Sequence, residues 1–180
     1  MTVSDFGGYA LSGWRAALLG FAQGLPANWL GRRLALICRK LVLKRGPDIV
    51  DATVENIRFR LHMRDNVSER KFLFMPQFFD AVERAELRHR LGTQSVFVDI
   101  GANAGIYTLT AAATGAQVIA VEPNPAVLSR LQYNLAANDL ATKVIIVQKG
   151  VSDAKGAFDL VLDDTNLGGS SLVATRSQNA

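Results

Sequence analysis

The chain has 180 residues, 49% of them hydrophobic, and a net charge of +4. That length supports one domain with a sizeable core, and the composition excludes bulk disorder. Cys38 is the only cysteine, which excludes an intrachain disulfide and a cysteine-based metal cluster and fits a reducing, cytoplasmic location.

The charge is uneven. Residues 1–45 carry seven Lys/Arg and one Asp, so the basic excess belongs to the N-terminal segment. The start lacks the pattern of a signal peptide. Its longest uncharged run, Ala16–Gly31, is shorter than the ~20 residues a spanning helix needs. Residues 9–24 read as a short apolar helix broken by Pro26. Asn28 can cap a second helix over 29–45, with Leu30, Leu34, Ile37 and Leu41 at helical spacing. Such a stripe reads as core-facing. The competing reading is a basic amphipathic helix over residues 28–45 in peripheral contact with an anionic membrane.

In "IRFRLHMR", Ile57, Phe59, Leu61 and Met63 alternate with Arg58, Arg60, His62 and Arg64. That is a half-buried strand, with the basic row as the wet side of a hairpin made with "IVDATV" through a turn near Glu55-Asn56. His62 and His89 have no metal-ligand spacing and read as solvated. Two helical pieces divided at Pro76 follow, with Phe78, Val82 and Ala85 on one face, up to Gly92.

From Val96 the pattern becomes alternating strand and helix. "VFVDI", "QVIAVE" and "KVIIVQ" read as parallel strands separated by single helices. Asn124 and Pro125 suit the start of the second helix, whose buried face is Val127, Leu128, Leu131 and Leu135. "SDAKGAFDLVLDD" reads as a turn and a further strand, and the tail "TNLGGSSLVATRSQNA" as loop. The divisions expected are a basic helical segment over 1–46, a hairpin with helices over 47–92, and a cofactor domain over 93–180.

Ligands of open parallel sheets gather at the carboxyl ends of the strands. Asp99, Gly101, Glu122 and Gly150 fall at or just after such ends. Gly101 allows a tight turn and close approach of a ligand. The following helix N-terminus suits an anion. Glu122 is placed to accept hydrogen bonds from ribose hydroxyls, which points to a nucleoside-containing ligand. The stretch G-A-N-A-G lacks the middle glycine of a dinucleotide fingerprint. Asp99 two residues ahead of Gly101 would repel a pyrophosphate but attract the ammonium group of S-adenosyl-L-methionine.

"DIGANAG", "EPNP", "NLAANDL" and "VSDAKG" resemble the FkbM family of S-adenosylmethionine-dependent methyltransferases. The resemblance covers roughly residues 47–172 and includes "RDNVSER" and "NLGGSSL". It implies Asp99, Gly101, Asn103 and Gly105 around the methionine part, Glu122 at the ribose, Asn124 near the adenosine, and Gly150 and Val151 near the adenine. For Asn124 a helix cap and for Gly150 a turn glycine are equally good readings. Phe79-Asp80 stands where the family usually has an aromatic–Glu pair. The implied fold is α/β: N-terminal helices and a hairpin, then a partial Rossmann-like parallel sheet, strands 3-2-1 of a class I methyltransferase with an edge extension and the second half missing.

The family's "D-x-E-G" stretch is absent, so the chain reads as an incomplete, inactive and poorly stable fragment that self-associates through an exposed sheet edge. The implied acceptor is a hydroxyl on a sugar or small molecule, without nucleic acid. No catalytic residue is assigned. The alternatives are a non-catalytic nucleotide-binding or partner-binding module and, more weakly, an NAD-type Rossmann domain.

Overall fold

The computed structural model describes residues 5–154, 156, 158–163 and 165–174. Helices α1 (Gly13–Gln23) and α2 (Trp29–Leu43) form an N-terminal hairpin. Strands β1 (Ile49–Val54) and β2 (Ile57–His62) pair antiparallel. Helix α3 (Val67–Phe74), a 3-10 turn at Pro76–Phe78 and helix α4 (Ala81–Arg90) lead to β3 (Val96–Ile100). Then come α5 (Ile106–Ala113), β4 (Gln117–Val121), α6 (Pro125–Ala136) and β5 (Val144–Val147). Strands β6 (Phe158–Val161) and β7 (Ser171–Ala174) close the described chain.

The three-stranded sheet has the order β3-β4-β5, all parallel, as the β-α-β pattern predicts. Strand β6 does not extend it. It pairs antiparallel with β7 in a separate two-stranded sheet, so "SLVA" of the expected loop is a strand. Residues 175–180 of that tail lie outside the described residues.

Local signals hold at the caps and the turn. The Asn28 side chain accepts from Gly31 N, and the Asn124 side chain accepts from Ala126 N. Glu55 and Asn56 both have positive φ, 51° and 67°, as a tight two-residue hairpin turn needs. The predicted inner face of α6 is buried at Val127, Leu128, Leu131 and Leu135.

Two faces depart from the sequence expectation: that of α2 is inverted, and the expected wet side of the hairpin is partly covered. In α2 the buried residues are Gly31, Ala35, Cys38 and Val42, whereas Leu30, Ile37 and Leu41 are exposed. Small side chains let α2 approach its neighbours closely: a Cβ at Gly31 would lie 2.1 Å from Pro26 O. In the β1–β2 hairpin the second face is covered around Arg60, with Arg58 left exposed. Val50, Val54, Ile57, Phe59 and Leu61 enter the core, while α6 covers the face carrying Arg60. There Arg60 is buried and pairs with its cross-strand neighbour Asp51 through Nε at 2.7 Å and a terminal nitrogen at 2.9 Å. The Tyr133 ring of α6 lies 3.9 Å from its guanidinium. One buried cluster runs from Leu19 through Phe59 and Phe72 to Leu131 and Leu135, joining the N-terminal helices, the hairpin and α6.

His62 is half-buried rather than solvated. Burial, then the charge of Arg130, with Arg60 adding to it and Asp65 opposing, hold its imidazole down to about 4. Its neighbour Glu69 is fully enclosed, accepting from His62 N at 2.6 Å and from Arg130 at 2.9 Å. Burial nonetheless pushes Glu69 up to about 7. The two groups have opposite linkage. His62 binds fewer protons folded than unfolded, so its contribution is complete above pH 6.5 and is lost as the pH falls towards 4. Glu69 binds more protons folded, so its contribution is complete below pH 4.5 and is lost as the pH rises through 7. His62→Gln leaves the Glu69 slope unopposed. Its urea stability should therefore decline more steeply than the parent's between pH about 5 and about 7. Parallel pH profiles for parent and variant would contradict this balance.

Candidate functional site

The site is built where β3 and β4 end. The backbone leaves β3 at Ile100 and turns back on β4, with Gly101 N and Ala102 N both donating to Val121 O. Gly101 has φ 79°, and no atom lies within 4 Å of where a Cβ would stand, so its open side admits a ligand. Gly105 has φ 94° but faces inward. A Cβ there would lie 2.4 Å from Leu131 Cδ1 and 2.6 Å from Leu109 Cδ1. Its glycine is explained by helix packing.

Asp99 and Glu122 are each only 8% exposed. Asp99 accepts from Thr108 Oγ1 at 2.5 Å, and Thr108 is fully buried on α5. Burial raises the Asp99 carboxyl above the usual carboxylate range; the Thr108 bonds oppose that, and the Glu122 charge adds to it. Glu122 bridges the two strand-end loops. One carboxylate oxygen accepts from Asn103 N at 3.0 Å and the other from Asn124 N at 2.9 Å. Two buried carboxylates thus line adjacent strand ends, an arrangement that a cation between them would stabilise.

Asn103 sits at φ 51° with its Oδ1 accepting from Ala104 N, and Gly105 N donates to Ala102 O. The amides of Asn103, Ala104 and Gly105 are therefore bonded within the site or to Glu122. Asn124 is the N-cap of α6. Its side-chain nitrogen is buried and has no partner among the described residues, so a donor remains for a ligand acceptor. Gly150 and Val151 follow β5 and are exposed, Val151 at 58%. The structure thus brings Asp99, Gly101, Asn103, Glu122 and Asn124 together at the ends of β3 and β4. It turns Gly105 into the core and leaves Gly150 and Val151 in the open turn after β5.

Sequence reasoning missed the residues that brace the loop. Asn66 is fully buried; its Oδ1 caps α3 by accepting from Ser68 N and Glu69 N, and its Nδ2 donates to Asn103 Oδ1 at 2.7 Å. Asn166 Oδ1 accepts from Val67 N, and Leu167 N donates to Asp65 O, which brings the "NLGG" turn over the same loop. Arg130 of α6 ties in Asp65 and Glu69. The available signal was N-x-x-E at Asn66–Glu69, an N-cap pattern. Asp80, of the Phe79-Asp80 pair, precedes α4 at φ 45° and faces Tyr107, whose hydroxyl is raised by burial and then by its bond to Asp80. Among the described residues no cluster of side chains could hold a metal ion.

A parallel β3-β4-β5 order with a glycine turn after β3 and an acidic end to β4 is a Rossmann-like arrangement. The solved structures agree. P. horikoshii TYW2 in complex with MeSAdo is similar with a TM-score of 0.50 and 22% identity, covering 69% of this chain and 49% of that one. M. jannaschii tRNA m1G37 methyltransferase is similar with a TM-score of 0.50 and 17% identity, covering 66% of this chain and 42% of that one. The chain therefore spans less than half the length of either. No curated protein matches the sequence. Residues 99–179 match the model of the methyltransferase FkbM domain, the family that the motifs resemble. The match begins at Asp99, so the earlier part of the resemblance, residues 47–98, lies ahead of it.

Proposed function

We propose that this chain binds S-adenosyl-L-methionine at the ends of β3, β4 and β5 and serves methyl transfer to a hydroxyl oxygen of a sugar or other small molecule. The observation that carries the reading is the buried pair Asp99 and Glu122 beside the open Gly101. Asp99 pairs with the ammonium of the methionine part, whose charge relieves the crowding of two carboxylates. Glu122 keeps lone pairs for ribose hydroxyls while it holds Asn103 N and Asn124 N. The unpartnered Asn124 amide nitrogen supplies a donor towards the adenosine. Gly150 and Val151 border the adenine end. The cofactor supplies a methyl group on sulfonium sulfur. What the protein contributes is orientation: the Asn66–Asn103 bond and the Glu122 bridges fix the loop before the ligand arrives. The MeSAdo complex of P. horikoshii TYW2 supports the same ligand chemistry, and the match of residues 99–179 to the methyltransferase FkbM domain supports methyl transfer.

The acceptor side of the sheet is open in this chain, with Val98 and Ile100 more than half exposed. We infer that the 180-residue chain alone binds cofactor without transferring methyl, and that its wet sheet face associates with another copy. Equilibrium dialysis against labelled S-adenosylmethionine, with S-adenosylhomocysteine and NAD as competitors, tests the ligand. Competition by S-adenosylhomocysteine alone is expected. Displacement by NAD at lower concentration would return the site to a dinucleotide.

A further inference from the structure

Helix α2 is built inside out for a helix whose only task is packing. Its fully buried residues are Gly31, Ala35, Cys38 and Val42, with Leu36 and Leu43 packed partly against the core, while Leu30, Ile37 and Leu41 lie outside. Leu30, Ile37 and Leu41, at spacings that share one face, are 50%, 56% and 47% exposed. Beside that stripe runs a second at the same spacing, Arg33, Lys40 and Lys44, also exposed. Trp29, the first residue of α2, is 74% exposed. Trp29, Arg32, Arg33, Leu36 and Ile37 line an open groove of about 540 Å³. The outer side of α1 carries Trp14 and Phe21, 55% and 54% exposed, two turns apart. No acidic residue occurs between Asp5 and Asp48, a stretch holding seven Lys/Arg.

We propose that the α1–α2 hairpin is a docking surface for an anionic lipid bilayer, lying in the plane of the interface. Parallel aliphatic and basic stripes on one helix fit acyl boundary and headgroup together, and exposed tryptophans suit the headgroup level. The charge complementarity selects lipid over an apolar protein groove, because seven basic residues with no acidic one among them would gain nothing there. It selects lipid over nucleic acid, because Leu30, Ile37 and Leu41 gain nothing from phosphate. No helix among the described residues is long and apolar enough to cross a membrane, so the contact is peripheral. This surface lies on elements apart from the β3–β4 strand ends and is independent of the cofactor reading.

Both tryptophans of the chain, Trp14 and Trp29, lie on the proposed surface, so intrinsic fluorescence reports docking directly. The full chain is mixed with vesicles of equimolar phosphatidylglycerol and phosphatidylcholine, with vesicles of phosphatidylcholine alone, and with an RNA duplex. Co-sedimentation with the phosphatidylglycerol vesicles and a blue-shifted emission are expected, both weakened by salt. The double variants Ile37→Ser with Leu41→Ser and Arg33→Glu with Lys40→Glu should each lower vesicle binding about tenfold or more, with unchanged circular dichroism. Equal binding to both vesicle types, or none, would overturn the proposal in the parent chain without recourse to any variant. So would saturable RNA binding that the Ile37/Leu41 variant leaves intact.

Discussion

Asp51→Ala is expected to destabilise the chain by about 3–5 kcal/mol, as removal of one partner of a buried ion pair does. Asp51 is 5% exposed and Arg60 7%. The Asp51 carboxylate accepts two bonds from Arg60 and one each from Gly7 N and Tyr9 N. Burial raises its pKa, but those bonds outweigh burial and hold it below the usual carboxylate range. Truncation leaves the guanidinium enclosed by Tyr9 and Tyr133 without its counter-charge and frees the N-terminal strap over β1. Since a domain's whole stability is only ~5–15 kcal/mol, the variant should be largely unfolded under mild denaturant. Urea unfolding followed by circular dichroism measures this. A loss below about 1 kcal/mol would mean that the pair is solvated in solution. Asp51→Asn, which keeps the shape and two acceptor lone pairs, should fall between variant and parent.

The second large effect is expected on association. One face of the parallel sheet, Phe97, Asp99, Val118, Ala120, Val144 and Ile146, turns to α5 and α6, and it is buried or partly buried. The other carries Val96, Val98, Ile100 and Ile145, 66%, 51%, 63% and 65% exposed. Among the described residues, strand β3 also has β4 on one side only. An aliphatic sheet face beside a free edge is a template for another chain. Sedimentation velocity should find dimers or larger species, and Val98→Lys with Ile145→Lys should restore the monomer. Burial of an aliphatic side chain contributes roughly 1.5–3 kcal/mol. The paired substitution should therefore weaken the dissociation constant about a hundredfold or more. A parent that sediments as a monomer and melts in one sharp transition would refute this.

Much of this architecture was legible where local chemistry acts alone. Asn28 and Asn124 cap because their side chains reach amides two or three residues on, and the β-α-β order follows from the spacing of apolar runs. Periodicity, however, places a stripe on a face without saying which face meets the core. In α2 two stripes lie a fraction of a turn apart, Gly31–Ala35–Cys38–Val42 and Leu30–Leu34–Ile37–Leu41. The close approach to Pro26 O decides for the smaller one. Alternation fails for a similar reason at Arg60. A charged row reads as wet, and only pairing in register with Asp51 makes its burial favourable. At the site, Asp99, Gly101 and Glu122 were legible as strand-end residues. The bracing by Asn66, Thr108 and Asn166 joins segments up to 99 residues apart, and the N-cap pattern at Asn66–Glu69 marks a helix start without showing its bond to Asn103.

The central claim, a nucleoside cofactor with its ammonium at Asp99 and its ribose at Glu122, is tested most directly by amide NMR of the chain titrated with S-adenosylhomocysteine. The account predicts that the amide signals of Asp99, Gly101, Asn103, Glu122 and Asn124 move together and saturate, that those of α1 and α2 stay in place, and that NAD moves none of them. Signals at the β3 and β4 ends that ignore S-adenosylhomocysteine but follow NAD would contradict it.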